Sequence, residues 1–214
     1  MSTAVFSKRR AILFGWETAK NNSRFLIGLT LFAFAIYFLP SLVSSLLANI
    51  QLPALIVIFF FVAGVVFWIF QLIVTMGFAK MSLDFARGRH PKFEQIISRA
   101  PLVVKFFLAT LLYQIITTIG FILLFVPGVI WGVKYQFYIY FIIDKKLGPI
   151  ESLKASSRIT DGVKWDLFLL NILLVLVNFL GFIVLGVGML LTIPATAIAL
   201  SYVYNKLKMH AANN

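Results

Sequence analysis

The sequence contains no cysteine. Disulfides, zinc–thiolate sites, iron–sulfur clusters and cysteine nucleophiles are therefore excluded. Charge is scarce as well: 12% of the 214 residues are charged, and only 7 are acidic. A soluble domain carries about 25% charged residues, so this chain cannot clothe a single core in a water-facing surface. The two histidines, His90 and His210, lie in polar segments, too few and too exposed to suggest a metal or haem site. Paired carboxylates, Ser/His/Asp arrangements, HExxH, Walker loops and GxGxxG are all missing. No metal, cofactor or enzyme chemistry is expected.

What the chain has is apolar length. Hydrophobic residues make up 61% of it, with 23 phenylalanines. A helix needs about 20 apolar residues to cross the hydrocarbon. Six runs approach that: Phe25 to Ala48, interrupted at Pro40; Leu55 to Phe78; Phe106 to Phe125; Val129 to Ile143, short and containing Lys134; Leu167 to Leu185; and Met189 to Tyr204, with Pro194 inside. The links 48–53, 125–128 and 185–188 are short, uncharged and rich in Pro and Gly, which suits tight turns. The links 79–105 and 144–166 are long and polar. The expected fold is all-α: a polytopic membrane bundle of six transmembrane helices in three hairpins. One domain covers 1–214, with an amphipathic N-segment over 1–24, the bundle over 25–204 and a tail over 205–214. The N-terminus does not read as a cleavable signal peptide, because Lys8-Arg9-Arg10 precedes only a short apolar stretch.

In a six-span arrangement all but one of the 19 basic residues fall on one side, together with all 7 acids. The exception is Lys134. Positive loops stay in the cytoplasm, so both termini are expected there, in a cytoplasmic (inner) membrane. The net charge of +12 then points to anionic lipid headgroups at that face, rather than to nucleic acid. A membrane protein partner is a further expectation.

Each hairpin follows a basic, partly amphipathic segment expected to lie at the cytoplasmic interface, or to pack under the spans as an ordinary connecting helix. Val5, Ile12, Trp16 and Ala19 share one helical face of Ala4 to Lys20. Phe93, Ile96 and Ile97 are the apolar residues of Pro91 to Ala100. Pro149 to Thr160 has a proline start and an Asp161-Gly162 stop. The second and third units also match at an offset of 61, Gly120-Phe121-Ile122 against Gly181-Phe182-Ile183. Gly64, Gly181, Gly186 and Gly188 read as positions of close packing.

A charge inside a span costs at least about 2.5 kcal/mol on insertion scales. Lys134 either snorkels, is neutral, or holds an anion such as a lipid phosphate, with Tyr135 and Tyr138 beside it at i+1 and i+4. Gln114, Asn171 and Asn178 are the residues for an intramembrane polar path; interhelical hydrogen bonding is their plainer role. Asp144, Glu151, Asp161 and Asp166 read as a solvated face balanced by nearby lysines.

Two stretches carry a resemblance. They are Val126-Pro127-Gly128-Val129-Ile130-Trp131-Gly132-Val133-Lys134-Tyr135 and Gly148-Pro149-Ile150-Glu151-Ser152-Leu153-Lys154-Ala155-Ser156-Ser157-Arg158-Ile159-Thr160-Asp161-Gly162. With Gly186-Val187-Gly188 and Pro194, they resemble bacterial membrane proteins related to the membrane domain of glycerophosphoryl diester phosphodiesterases. The resemblance implies a multi-span helical domain that in some relatives precedes a soluble phosphodiesterase, and it suggests lipid or glycerophosphate handling. The expected role is a non-enzymatic membrane protein that binds lipid or a partner. A small transporter or channel with a polar path near Lys134 is the alternative, and an intramembrane lipid-modifying enzyme a third. Lys134→Glu is expected to lower thermal stability in nanodiscs, or to alter retained lipid, far more than Lys146→Glu. Equal effects would refute a special place for Lys134.

Overall fold

The structure is a computed structural model that describes residues 5–48, 50, 53–184 and 186–213. Among them every regular element is helical. Ser7 starts α1 (Lys8–Asn21) by accepting the Arg10 backbone N–H on its hydroxyl at 3.4 Å, satisfying a donor that the first turn leaves free. Then come α2 (Ser23–Leu47), which keeps Pro40 inside it, and α3 (Ala54–Phe85). The turn expected at 48–53 falls partly on residues 49, 51 and 52, and that at 185–188 partly on 185, outside the described residues.

Where a surface helix is expected before the second hairpin, the chain forms a 310 segment, Phe93–Leu102, with Pro101 near its end. It folds back on α3. Ile96 is buried, and a Cβ on Gly77 would overlap the Ile96 backbone. Only glycine allows that approach.

Next are α4 (Val103–Leu123), α5 (Phe125–Tyr135) and α6 (Tyr138–Lys145). Leu124 is extended and makes the break, so Pro127 and Gly128 lie in the first turns of α5. Proline suits a first turn because its missing N–H would be unused there. The run Val129 to Ile143 is not one continuous helix. It breaks at Gln136 and Phe137, where hydroxyls of α7 (Pro149–Ile159) take over the backbone bonding. Ser156 Oγ accepts the Phe137 N–H at 3.1 Å, and Ser156 and Thr160 both donate to the Lys134 carbonyl at 3.0 Å. α7 itself starts and stops where its signals say. Glu151 accepts the Gly148 N–H at 3.1 Å, and Gly162 follows with φ of +76°.

Two helices complete the chain, α8 (Lys164–Ile183) and α9 (Met189–Asn213). The tail expected from 205 is instead the last turns of α9, held there because Leu207 is buried and Lys208 finds a carboxylate. α9 sits at the centre. It touches α1, α2, α3, α7 and α8, and Ile198, Val203, Tyr204 and Leu207 are fully buried.

α1 is not a helix lying free at an interface. It runs lengthwise and antiparallel against α9. Its buried face is Ala11, Gly15 and Ala19, while Trp16 is 41% exposed. A Cβ on Gly15 would overlap the Ala195 carbonyl oxygen and come within 3.0 Å of the Ala199 Cβ. Small residues on both helices permit this contact, and van der Waals packing rewards it.

The repeated glycines mark the other two close contacts. A Cβ on Gly120 would lie 2.9 Å from Gly128 Cα, and one on Gly188 would lie 2.8 Å from Gly181 Cα. So α4–α5 closes on a glycine pair, and α8 closes on the turn before α9 in the same way, with Gly120 and Gly181 at matching positions of the sequence repeat. Gly64 differs: nothing lies within 4 Å of its would-be Cβ. It makes no close contact, because the α2–α3 pair is splayed at that end.

Five segments are long and apolar enough to cross a membrane: α2, α3, the 310 segment running into α4, α5 running into α6, and α8. α9 is of similar length but less apolar, carrying Thr192, Thr196, Ser201 and Asn205. Protein surrounds it, so it has less need of an oily exterior. The outer part of α3 is the opposite, with Leu55 82% and Phe61 72% exposed. Surfaces of that kind belong in hydrocarbon. The chain is a helical, multi-pass membrane protein.

Gly15→Val is expected to force α1 off α9, at a cost of about 1–3 kcal/mol, read as a fall of several degrees in unfolding temperature. Gly28→Ala, where a Cβ meets nothing within 4 Å, is expected to leave that temperature unchanged or raise it. Equal losses for both would show that the α1–α9 contact is not close.

Candidate functional site

The residues singled out in the sequence occupy separate places. Lys134 ends α5, half-buried, with its ammonium 5.2 Å from the centre of the Tyr135 ring. It lies near Asp161, at the charged connection between α7 and α8, and contributes to the low pKa of that carboxyl. Lys164, donating to Asp161 at 2.8 Å, is the larger cause. Tyr138 does not join Lys134. Its hydroxyl meets Thr110 Oγ1 at 2.9 Å and its ring stacks on Phe106 and Tyr113.

The three amides diverge likewise. Gln114 is exposed on α4. Asn171 donates to Gln136 Oε1 at 3.0 Å, across the α5–α6 break. Asn178 donates to Thr196 Oγ1 at 3.2 Å, on α9. Each amide on α8 thus ties that helix to a different neighbour, and none of these residues lines a cavity with Lys134 or Gln114 among the described residues.

Asp144 carries what the sequence pattern hides. It is not part of a solvated face. At the end of α6 it accepts Arg87 Nη1 at 2.7 Å, Lys208 Nζ at 2.5 Å and Tyr204 Oη at 3.2 Å. Arg87 also donates to Asn205 Oδ1 at 3.2 Å and 3.1 Å. Its hydrogen bond to Asp144 holds the guanidinium pKa above its ordinary value. Three elements, the end of α3, α6 and α9, are clasped by one carboxylate. The aromatic floor is Tyr204, stacked on Tyr140 with centroids 5.1 Å apart. No spacing rule connects positions 87, 144 and 208, and only the fold brings them together.

The remaining aspartates are taken up in the same way. Asp84, 2% exposed, pairs with Lys80 and with Arg89 at 3.7 Å. Asp166 pairs with Lys8 at 2.6 Å. The four aspartates are spent on ion pairs within the chain. Glu17, Glu94, Glu151 and Asp161 are exposed, but so are Arg9, Arg10, Lys20, Lys145, Lys146 and Lys154 among other cations, so the outward-facing charge is mostly positive.

Comparison with known proteins finds relatives of unknown role. Over 102 residues the chain is 38% identical to an uncharacterised protein of Mycobacterium tuberculosis (strain ATCC 25618 / H37Rv) and to one of Mycobacterium bovis. The match takes in 45% of this chain and 30% of each relative, so the chain spans under a third of the relatives' length. No family model matches the chain, and no solved structure does.

Removing the clasp tests its weight. Asp144→Ala leaves Arg87 and Lys208, with side chains 23% and 29% exposed, facing each other without a counter-charge. Breaking a buried pair costs about 3–5 kcal/mol, and the partial exposure here reduces that to about 2–3 kcal/mol. Asp161→Ala, in an exposed pair, is expected to leave stability nearly unchanged. Thermal unfolding of both variants in nanodiscs checks the difference, and equal small shifts would refute the clasp.

Proposed function

We propose that the chain is a non-enzymatic, six-span protein of the cytoplasmic (inner) membrane that gathers anionic lipid headgroups at its cytoplasmic face. α9 is the sixth span, and both termini are cytoplasmic. One observation carries the reading: the four aspartates are taken up in ion pairs within the chain, while basic side chains on α1, α7 and the α6–α7 link stay exposed and outnumber the exposed acids Glu17, Glu94, Glu151 and Asp161. An exposed Lys or Arg beside an anionic leaflet contributes about 1 kcal/mol, so a face bearing many of them concentrates such lipids around the protein. The resemblance of residues 126–135 and 148–162 to phosphodiesterase-linked membrane domains favours lipid handling. Gln114 is exposed while Asn171 and Asn178 bond to different neighbours, which favours this reading over a transport path.

Native mass spectrometry of the protein, extracted with its surrounding lipid from its own membrane, is expected to show anionic lipids enriched over their bulk share. Retained lipids in bulk proportion would overturn the proposal. Reporter fusions at residues 90 and 155 are expected to report the cytoplasm, and opposite compartments would overturn the orientation.

A further inference from the structure

α1 cannot touch α8 and α9 equally. Its Ala11, Gly15 and Ala19 face is committed to Ala195 and Ala199 on α9, and it meets α8 only slightly. A fissure remains between α1 and α8, with α9 as its floor. It consists of two cavities, of about 680 and 150 Å³, which share Ile12 and Leu13 in their walls. The larger one opens at Ser7, Lys8 and Arg9. The smaller continues past Trp16, Leu174 and Val177 to Thr196.

The polarity of the fissure runs one way. Ionised groups stand only at its mouth. There the Lys8 ammonium spans the two helices to Asp166 at 2.6 Å, which uses one of its three donors. Arg9 is exposed and has no carboxylate partner among the described residues. Below the mouth the walls are aliphatic and aromatic apart from Thr196. Leu13 and Trp16, 45% and 41% exposed, open this part sideways.

We propose that this fissure seats one anionic phospholipid, its phosphate at Lys8 and Arg9 and an acyl chain along Leu13, Trp16 and Leu174. The assignment rests on the headgroup reading above and gives it an address. Charge complementarity selects the occupant: two cations at one end, net positive after Lys8 pairs with Asp166, and largely apolar walls along the rest match a phospholipid, which the bilayer supplies at the open side. The other cavities lack that match. The groove of about 500 Å³ between the outer halves of α2 and α3 is lined by no charged residue. The cavity of about 440 Å³ between α4 and α7 has Glu151 as its only charged lining residue, which repels a phosphate.

The test uses the full chain in nanodiscs of equal parts phosphatidylcholine and phosphatidylglycerol, followed by detergent release and native mass spectrometry. Lys8→Gln/Arg9→Gln is compared with Lys145→Gln/Lys146→Gln, which removes the same charge elsewhere on the basic face. The first pair is expected to weaken the tightest-held phosphatidylglycerol by about thirtyfold, the effect of two membrane-facing cations, and the second to leave it in place. Equal weakening in both would overturn the fissure while leaving the headgroup reading standing. Retention of no phosphatidylglycerol by the unaltered chain would overturn both. Lys8→Gln also removes the bridge to Asp166, so Arg9→Gln/Leu173→Trp, which keeps the bridge and narrows the upper cavity, is run beside it. Because the chain has no cysteine, Leu13→Cys accepts a single fluorescent label. Phosphatidylglycerol with a spin-labelled acyl chain is expected to quench that label more strongly than the phosphatidylcholine analogue. Equal quenching would overturn the acyl-chain placement.

Discussion

Close approach of α1 to α9 at Gly15 sets the rest of the bundle. In a bilayer, burying apolar surface between helices gains little, since lipid tails are as oily as leucine. Helices hold together there by fitting closely and by hydrogen bonding. Gly15 with Ala195 and Ala199, Gly77 with Ile96, Gly120 with Gly128 and Gly181 with Gly188 are four places where missing side chains bring backbones together. Three of the four lie on or against α8, α9 or α4, the helices that make the core. α2 and the outer part of α3 have no such contact, and there the apolar surface faces outward.

Once α9 is enclosed, its composition follows. A helix facing lipid must be uniformly apolar, but one facing protein can carry hydroxyls and amides that neighbours satisfy. Thr196 accepts from Asn178, Tyr204 donates to Asp144, and Lys208 reaches the same carboxylate. α9 is thus the least lipid-like of the long helices and the most connected. Its last turns bring Lys208 to Asp144, and Asp144 in turn brings Arg87 in from the end of α3. Helix packing and the ionic clasp are two consequences of one central position.

Much of this was legible in the sequence, and the failures share a cause. Helical class, the apolar runs and the bounds of α7 follow from local rules: hydropathy, capping and turn residues within a few positions of one another. The Gly120 and Gly181 match also proved to mark equivalent contacts. What local rules cannot supply is the identity of a neighbour. Ala11 and Gly15 are weakly hydrophobic, so the apolar face read as Val5, Ile12, Trp16 and Ala19, of which only Ala19 is buried. Only a partner made of alanines turns small residues into the contact. Asp144 looked solvated because its lysine neighbours in sequence are solvated, whereas its true partners lie 57 and 64 positions away. Lys134 looked isolated because the run around it is apolar. It stays within the span that α5 and α6 form together, and the break at Gln136–Phe137, which depends on Ser156 and Thr160, sets it near Asp161 at a charged connection.

The same commitment that closes α1 on α9 opens it toward α8. A helix with one stripe of small residues can make one backbone-close contact. The side chains flanking that stripe, Ile12, Leu13 and Trp16, are then too large to let a second helix in as near. The gap beside α1 is therefore a geometric result of the packing and not a defect in it. Lys8 and Arg9 precede this stretch by about one turn, and helical side chains lean toward the N-terminus. Basic groups thus stand over the mouth of an apolar gap for reasons internal to α1. Because Asp166 engages Lys8 but no carboxylate among the described residues engages Arg9, the mouth keeps a positive charge after folding. The proposed lipid phosphate would be the counter-charge at that position.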